Sequence, residues 1–219
     1  GGSSVSGYTY NWIPVSNING SNTIANPITT PLVNSVNSFY VNITLGNCSI
    51  SDSLKVFVLN SPVAVAGNDT SICSGSPLNI GTTSVTGYSY SWNNTSALSS
   101  NSISNPQFIQ TNTGSVPIEI ELIQTATLNG SNCQSNDTVY VTVNPIPPAA
   151  ISLTGSPALC TGDSVTLTAP SNLASYTWSN GSSQQSITVN NPGSYSLSVT
   201  NIYGCSANSL PINVTISTR

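Results

Sequence analysis

Histidine and methionine are absent from the 219 residues, and only 4% of the chain is charged, against about 25% in ordinary soluble domains. Each shortage excludes something. Lys55 is the one lysine, so a Ser or Cys nucleophile has almost no general base to activate it. Phosphate-backbone binding needs clustered Lys and Arg. Lys55 and Arg219 are the two basic residues, so nucleic acid is excluded as a partner. Attachment to an anionic membrane through a basic patch fails for the same reason. The net charge of -4 arises from six acids and two bases, which makes the surface nearly uncharged rather than strongly acidic. No apolar run approaches the roughly 18 residues of a membrane span, so direct membrane insertion is not expected. No charged segment leads into an apolar one, as a signal peptide requires. The opening Gly1-Gly2-Ser3-Ser4 suits a mature or excised fragment. Cys-x-x-Cys pairs are also missing, which removes zinc knuckles and dithiol redox motifs.

Ser, Thr, Asn and Gly take the place of charge. Polar chains that cannot bury apolar surface stay disordered. Here 37% of residues are hydrophobic, and they fall in short alternating runs. Period-two alternation marks strands with one buried face. Five cysteines, Cys48, Cys73, Cys133, Cys160 and Cys205, are widely spaced. In a chain of strands this reads as disulfides formed in an oxidising compartment.

Internal repeats organise the chain. Gly7-Tyr8-Thr9-Tyr10-Asn11-Trp12 recurs as Gly87-Tyr88-Ser89-Tyr90-Ser91-Trp92, and in shorter form as Ser175-Tyr176-Thr177-Trp178. The Trp spacings of 80 and 86 residues suit a small β-sandwich. A second signature, Cys-x-Gly-x-x-apolar-x-apolar, begins at Cys73 and at Cys160. A third closes each repeat. Phe39, Val41 and Ile43 alternate before Gly46 and Cys48; Tyr195, Leu197 and Val199 alternate before Gly204 and Cys205. In the middle copy Ile118, Ile120 and Leu122 alternate well ahead of Gly130 and Cys133. A last strand follows each closing Cys: Leu54, Val56 and Val58; Val139, Val141 and Val143; Ile212, Val214 and Ile216.

These signatures divide the chain into residues 1–60, 61–145 and 146–219. The Asn144-Pro145-Ile146-Pro147-Pro148 link favours extended, semi-rigid geometry, so three beads on a rod are expected. One bridge per repeat would pair Cys73 with Cys133 and Cys160 with Cys205. Cys48 then lacks a partner. Counting back from Trp12, the opening Cys of the first repeat falls before Gly1, so this repeat is expected to be truncated. Each bridge would stabilise its repeat by roughly 3–5 kcal/mol.

Three groups of residues, Ala66-Gly67-Asn68-Asp69-Thr70-Ser71-Ile72-Cys73-Ser74-Gly75, then Tyr90-Ser91-Trp92, then Cys133 with Asp137-Thr138-Val139-Tyr140-Val141, together resemble the immunoglobulin-like and PKD-like repeats of large surface adhesins of Bacteroidota. Those adhesins include gliding-motility proteins and other cargo of the type IX secretion system. The resemblance covers nearly the whole chain. It implies an all-β fold of tandem immunoglobulin-like β-sandwich repeats in an extended rod, on the cell surface. It further implies a non-enzymatic stalk whose partners are other repeats of the same long chain and, at a distance, extracellular polysaccharide. No cofactor is implied. The closing Cys lies beyond the alternating strand, so the bridge is expected to tie a hairpin end to an early strand.

Trp12, Trp92 and Trp178, with Tyr10, Tyr90 and Tyr176, read as core residues, because a buried Trp on the third strand is expected of such a sandwich. Glu119 and Glu121 are the one close acid pair. They share a strand face about 7 Å apart, within reach of an inverting-glycosidase geometry. Because Ile118, Ile120 and Leu122 claim the inward face, both Glu should point to water. Asp69 and Asp137 are weak metal candidates. Calcium wants six to eight oxygens, whereas Asp and Asn in such places make turns without metal. Ser209 stands where the other repeats carry Asp52 and Asp137, so no shared Asp site runs through all three. Tyr203, beside Cys205, is the one aromatic whose place in the repeat suggests a sugar-binding surface. An incomplete first repeat would also leave a sheet edge open to strand addition.

Overall fold

The computed structural model describes residues 2–217; Arg219, one of the two basic residues, lies outside them. The chain is all-β, with its strands divided among several small sheets. One short turn of 3-10 helix, Val15–Asn17, is the single helical element among the described residues.

The first strands are β1 (Thr9–Ile13), β2 (Ile18–Asn19), β3 (Ile28–Thr29), β4 (Ser35–Leu45) and β5 (Cys48–Val58). Then come β6 (Thr70–Cys73), β7 (Leu78–Asn79), β8 (Tyr88–Trp92), β9 (Gln107–Phe108), β10 (Ile118–Leu128) and β11 (Gln134–Asn144). The last set is β12 (Ser152–Thr154), β13 (Ala158–Cys160), β14 (Val165–Thr168), β15 (Ser175–Trp178), β16 (Ser186–Val189), β17 (Gly193–Tyr195), β18 (Leu197–Thr200), β19 (Ser206–Asn208) and β20 (Ile212–Ser217).

Two compact units result. One is Gly1–Pro62 together with Gly130–Gln134; the other is Val63–Asn129 with Ser135–Arg219. The first unit holds a sheet of order β1-β4-β5 and the small β2-β3 pair. The second contains two separate apolar cores. Trp92, Phe108, Leu122, Val139, Val141 and Val143 anchor one. Trp178, Leu167, Val189, Leu197, Val199 and Val214 anchor the other.

The alternating residues build these cores directly. In β11, Val139, Val141 and Val143 are buried to 1% exposure or less. On the neighbouring strand of the same sheet, Ile118, Ile120 and Leu122 of β10 belong to the same core, and Glu119 and Glu121 stand exposed between them. Each Trp is pinned at its polar edge, as a buried indole requires. The indole N–H of Trp12 donates to Ile24 O at 3.0 Å, that of Trp92 to Ile103 O at 2.9 Å, and that of Trp178 to Gln184 O at 2.8 Å.

Three expectations need correction. The run Tyr195 to Val199 is not one strand. It breaks at Ser196, so that β17 pairs with β20 and β18 pairs with β15 and β19. Second, Trp12 is only half-buried, unlike Trp92 and Trp178, and Tyr10, Tyr90 and Tyr176 are all half-buried rather than core. Third, the last strand of the first unit is largely solvent-facing: Leu54 is 52% exposed where its repeat counterpart Val139 is 1% exposed. Trp12 and the last strand share a cause. The segment holding Ala66, Ile72, Leu78 and Ile80 covers the core around Trp92, and β6 lies on β11; among the described residues β5 has only β4 beside it.

Candidate functional site

The most highly built feature of the second unit is the place where its two cores meet. β6 runs parallel to β11 with Cys73 opposite Asn144, the residue that enters the proline-rich link. Beyond β18 the chain turns through Asn201 to Cys205 before β19. Gly204 makes that turn at φ 80°, a left-handed conformation that favours glycine. Cys73 and Cys205 are joined by a disulfide with a Cα–Cα distance of 5.6 Å across 132 residues of sequence.

This overturns both expected pairings. Cys133 precedes β11 and Cys73 lies opposite its last residue. The whole strand therefore separates them, about 35 Å at the usual rise per residue. Cys160 is held in register with Ser217 on β20, whereas Cys205 sits in the turn that reaches the link. Cys160, Cys133 and Cys48 carry free thiols, the first two half-buried and the last exposed. The bridge does tie a hairpin end to an early strand, but the two ends belong to different cores.

Asn201 organises the turn. Its side-chain amide donates to Pro145 O at 2.8 Å. Its carbonyl oxygen accepts from the backbone N–H of Tyr203 and of Cys205, both at 3.0 Å. Asn112 does the same on the other side. Its amide donates to Val143 O and Val116 O, each at 2.8 Å, and its carbonyl accepts from Gly114 N at 2.9 Å. Both Asn are buried, and buried amides hold position only when satisfied. The link is therefore fastened covalently and by hydrogen bonds. Gly114, Pro147, Leu173, Ile202 and Tyr203 line a cleft of about 330 Å³ beside it. Tyr203 is 42% exposed there.

The other expected residues fall elsewhere. Asp69 and Asp137 act as backbone acceptors. Asp69 takes the N–H of Tyr140 at 2.8 Å, and Asp137 takes those of Ala66 at 2.8 Å and Thr138 at 3.0 Å. Among the described residues no three His, Cys, Asp or Glu side chains converge. Asp163 closes a turn on Cys160 N at 3.2 Å. Glu121 accepts the phenol O–H of Tyr140 at 3.0 Å on the open face of the sheet. That hydrogen bond, with the Glu121 charge, raises the Tyr140 pKa above its ordinary value.

No protein-family model matches the sequence, and no curated protein matches it. Among solved structures, a three-Ig structure of titin domains aligns at TM-score 0.47 and 10% identity, over 98% of this chain and 89% of that one. Extracellular domains 3–5 of Drosophila OTK align at 0.39 and 12%, over 96% and 86%. Immunoglobulin domains 1–4 of Sidekick-1 align at 0.37 and 13%, over 98% and 68%.

Two residues at the heart of this arrangement, Asn201 and Asn112, look like ordinary polar residues among many in the sequence. The Thr-Asn-x-x-Gly-Cys pattern around Asn201 is a turn signal; for Asn112 no local signal exists.

Proposed function

We propose that this chain is a load-bearing, non-catalytic stalk segment of a secreted, repetitive surface adhesin, of the kind that serves adhesion or gliding motility in Bacteroidota and travels through type IX secretion. The observation that carries the reading is the Cys73–Cys205 bridge. A disulfide within one sandwich would protect that sandwich alone. One that spans two sandwiches prevents the link between them from being extended under tension. Disulfides also persist in oxidising compartments outside the cytosol, which fits a surface location. The near absence of charge leaves little for salt to screen, as suits an extracellular filament.

Shaving intact cells with protease, then mapping the peptides and weighing the native polypeptide, tests this. A chain of many similar repeats at the cell surface is the expected result. A cytosolic protein, or one barely longer than these residues, would refute it.

A second reading rests on the cleft beside the link. Tyr203 and Ile202, 42% and 75% exposed, offer an apolar platform for a sugar ring. On a glycan array this reading expects hits that Tyr203→Ala abolishes. An array without hits rejects it.

A further inference from the structure

The first unit repeats the plan of the second core with one layer missing. In the second core, β6 lies parallel on the outer edge of β11, with Val141 opposite Thr70, Val143 opposite Ile72 and Asn144 opposite Cys73. In the third repeat β13 occupies the same place on β20. Among the described residues the corresponding edge of β5 carries no strand, since β5 ends its sheet. A strand edge of this kind presents unpaired N–H and C=O groups. It also leaves an apolar side chain on the inward-patterned face uncovered: Leu54 is 52% exposed.

Two further groups mark the same place. Asp137 uses one carboxylate oxygen for the next residue's N–H and the other for Ala66 N, in the segment leading to β6. Asp52 is its counterpart. It accepts Ser53 N at 2.7 Å and lines a cleft of about 290 Å³ with Tyr10, Trp12 and Val41. The second group is Cys133. The Cys205 turn reaches the end of β11 and bridges the Cys of β6. The Cys133 turn, Gly130–Gln134, belongs to the compact unit of Gly1–Pro62, and its thiol is free and half-buried.

We propose that the bare edge of β5, Asp52 and Cys133 form the receiving half of an inter-repeat joint. Its ligand is a strand of the Thr70–Cys73 type, rich in Ser and Thr and ending Ile-Cys-x-Gly. The strand adds parallel to β5, its upstream backbone N–H bonds Asp52, and its Cys forms a disulfide with Cys133. Bond formation removes two thiol protons and two electrons. A thiol–disulfide oxidant of the export route takes both through a mixed disulfide and leaves as a dithiol. By the same rule Cys160, docked on β20, is a giving half for the hairpin-turn Cys of another repeat. This deepens the stalk reading and rests on it, because it makes every joint covalent.

The test extends the full chain by copying Val63–Ile80 ahead of Gly1. The copied Cys then stands 19 residues before Trp12, as Cys73 does before Trp92. Non-reducing peptide mapping is expected to join the copied Cys to Cys133, and hydrogen exchange along β5 should slow at least tenfold. Asp52→Asn should reverse part of that protection. With Ser in place of the copied Cys, β5 should remain protected, which separates strand docking from the bridge. A copied Cys that stays free, one that joins Cys48, or unchanged β5 exchange would each overturn the proposal. Adding the segment as a free peptide to the unextended chain distinguishes the source. Cross-linking to Cys133 then means another molecule can supply the strand; cross-linking in the extended chain alone means the strand acts only in cis. None of these results changes the mass and location of the native polypeptide, so failure here is distinct from failure of the stalk reading.

Discussion

Breaking the Cys73–Cys205 bridge should split the unfolding of the second unit into two transitions. With everything between the cysteines unfolded, the bridge closes a loop of 132 residues, which loop-closure entropy values at about 5 kcal/mol. If only the part beyond the link unfolds, β11 still holds Cys73 opposite Asn144. The closed loop then runs from Asn144 to Cys205, roughly 60 residues, worth about 4 kcal/mol. If only the part before the link unfolds, the loop is of similar length and value. The first sandwich to unfold therefore meets nearly the whole penalty, and the second adds only about 1 kcal/mol. The difference, about 3 kcal/mol, is coupling between the sandwiches that the bridge supplies. Cys73→Ser is the better perturbation, since Cys73 is half-buried while Cys205 is fully buried and would bury a hydroxyl. Scanning calorimetry of the full chain should show one merged transition for this unit in the parent. The variant should show two, with midpoints lower by roughly 15–30 °C. Reduction by dithiothreitol should reproduce the variant. A single transition whose midpoint stays within a few degrees would refute the reasoning. It would mean that the Asn201–Pro145 hydrogen bond and its neighbours carry the coupling without the bridge.

Other expectations follow from individual side chains. Because Glu121 holds the Tyr140 phenol protonated, its contribution to stability is complete below the ordinary tyrosine pKa of about 10 and is lost as pH rises through the elevated folded value. In a spectrophotometric alkaline titration the Tyr140 step should lie above the ordinary tyrosine value, and Glu121→Gln should lower it. Gln124, 1% exposed, accepts Val65 N and donates to Ser104 O, both at 2.8 Å. Gln124→Leu should strand both groups and cost about 2–4 kcal/mol by urea denaturation; a loss below 1 kcal/mol would argue against it. Trp178→Ala, at a site 2% exposed, should cost about 3–5 kcal/mol, whereas Trp12→Ala at its half-buried site should cost distinctly less. Raising NaCl tenfold should leave the thermal midpoints nearly unchanged, as little charge is present to screen; a steep salt response would contradict this.

The sequence by itself determined what depends on neighbours a few residues apart. Alternation in β10 and β11 set which residues enter the core, and there Ile118, Leu122, Val139 and Val141 all face inward. The Tyr and Trp motif located the strands whose indoles are pinned to backbone carbonyls. The scarcity of charge set the character of the surface. Only the tertiary structure decided which cysteine meets which. Spacing along the chain records that Cys73 opens a repeat and Cys133 closes it, but an antiparallel hairpin carries its turn a full strand length from its base. The nearest closing Cys is then the next repeat's Cys205, brought in by the turn at Asn201. The same holds for Leu54 and Val56. Their alternation is that of a buried strand, yet burial needs a second layer from a distant segment, and β5 is left with one neighbour. Local pattern states what a strand can bury; only the placement of remote chain decides whether anything covers it.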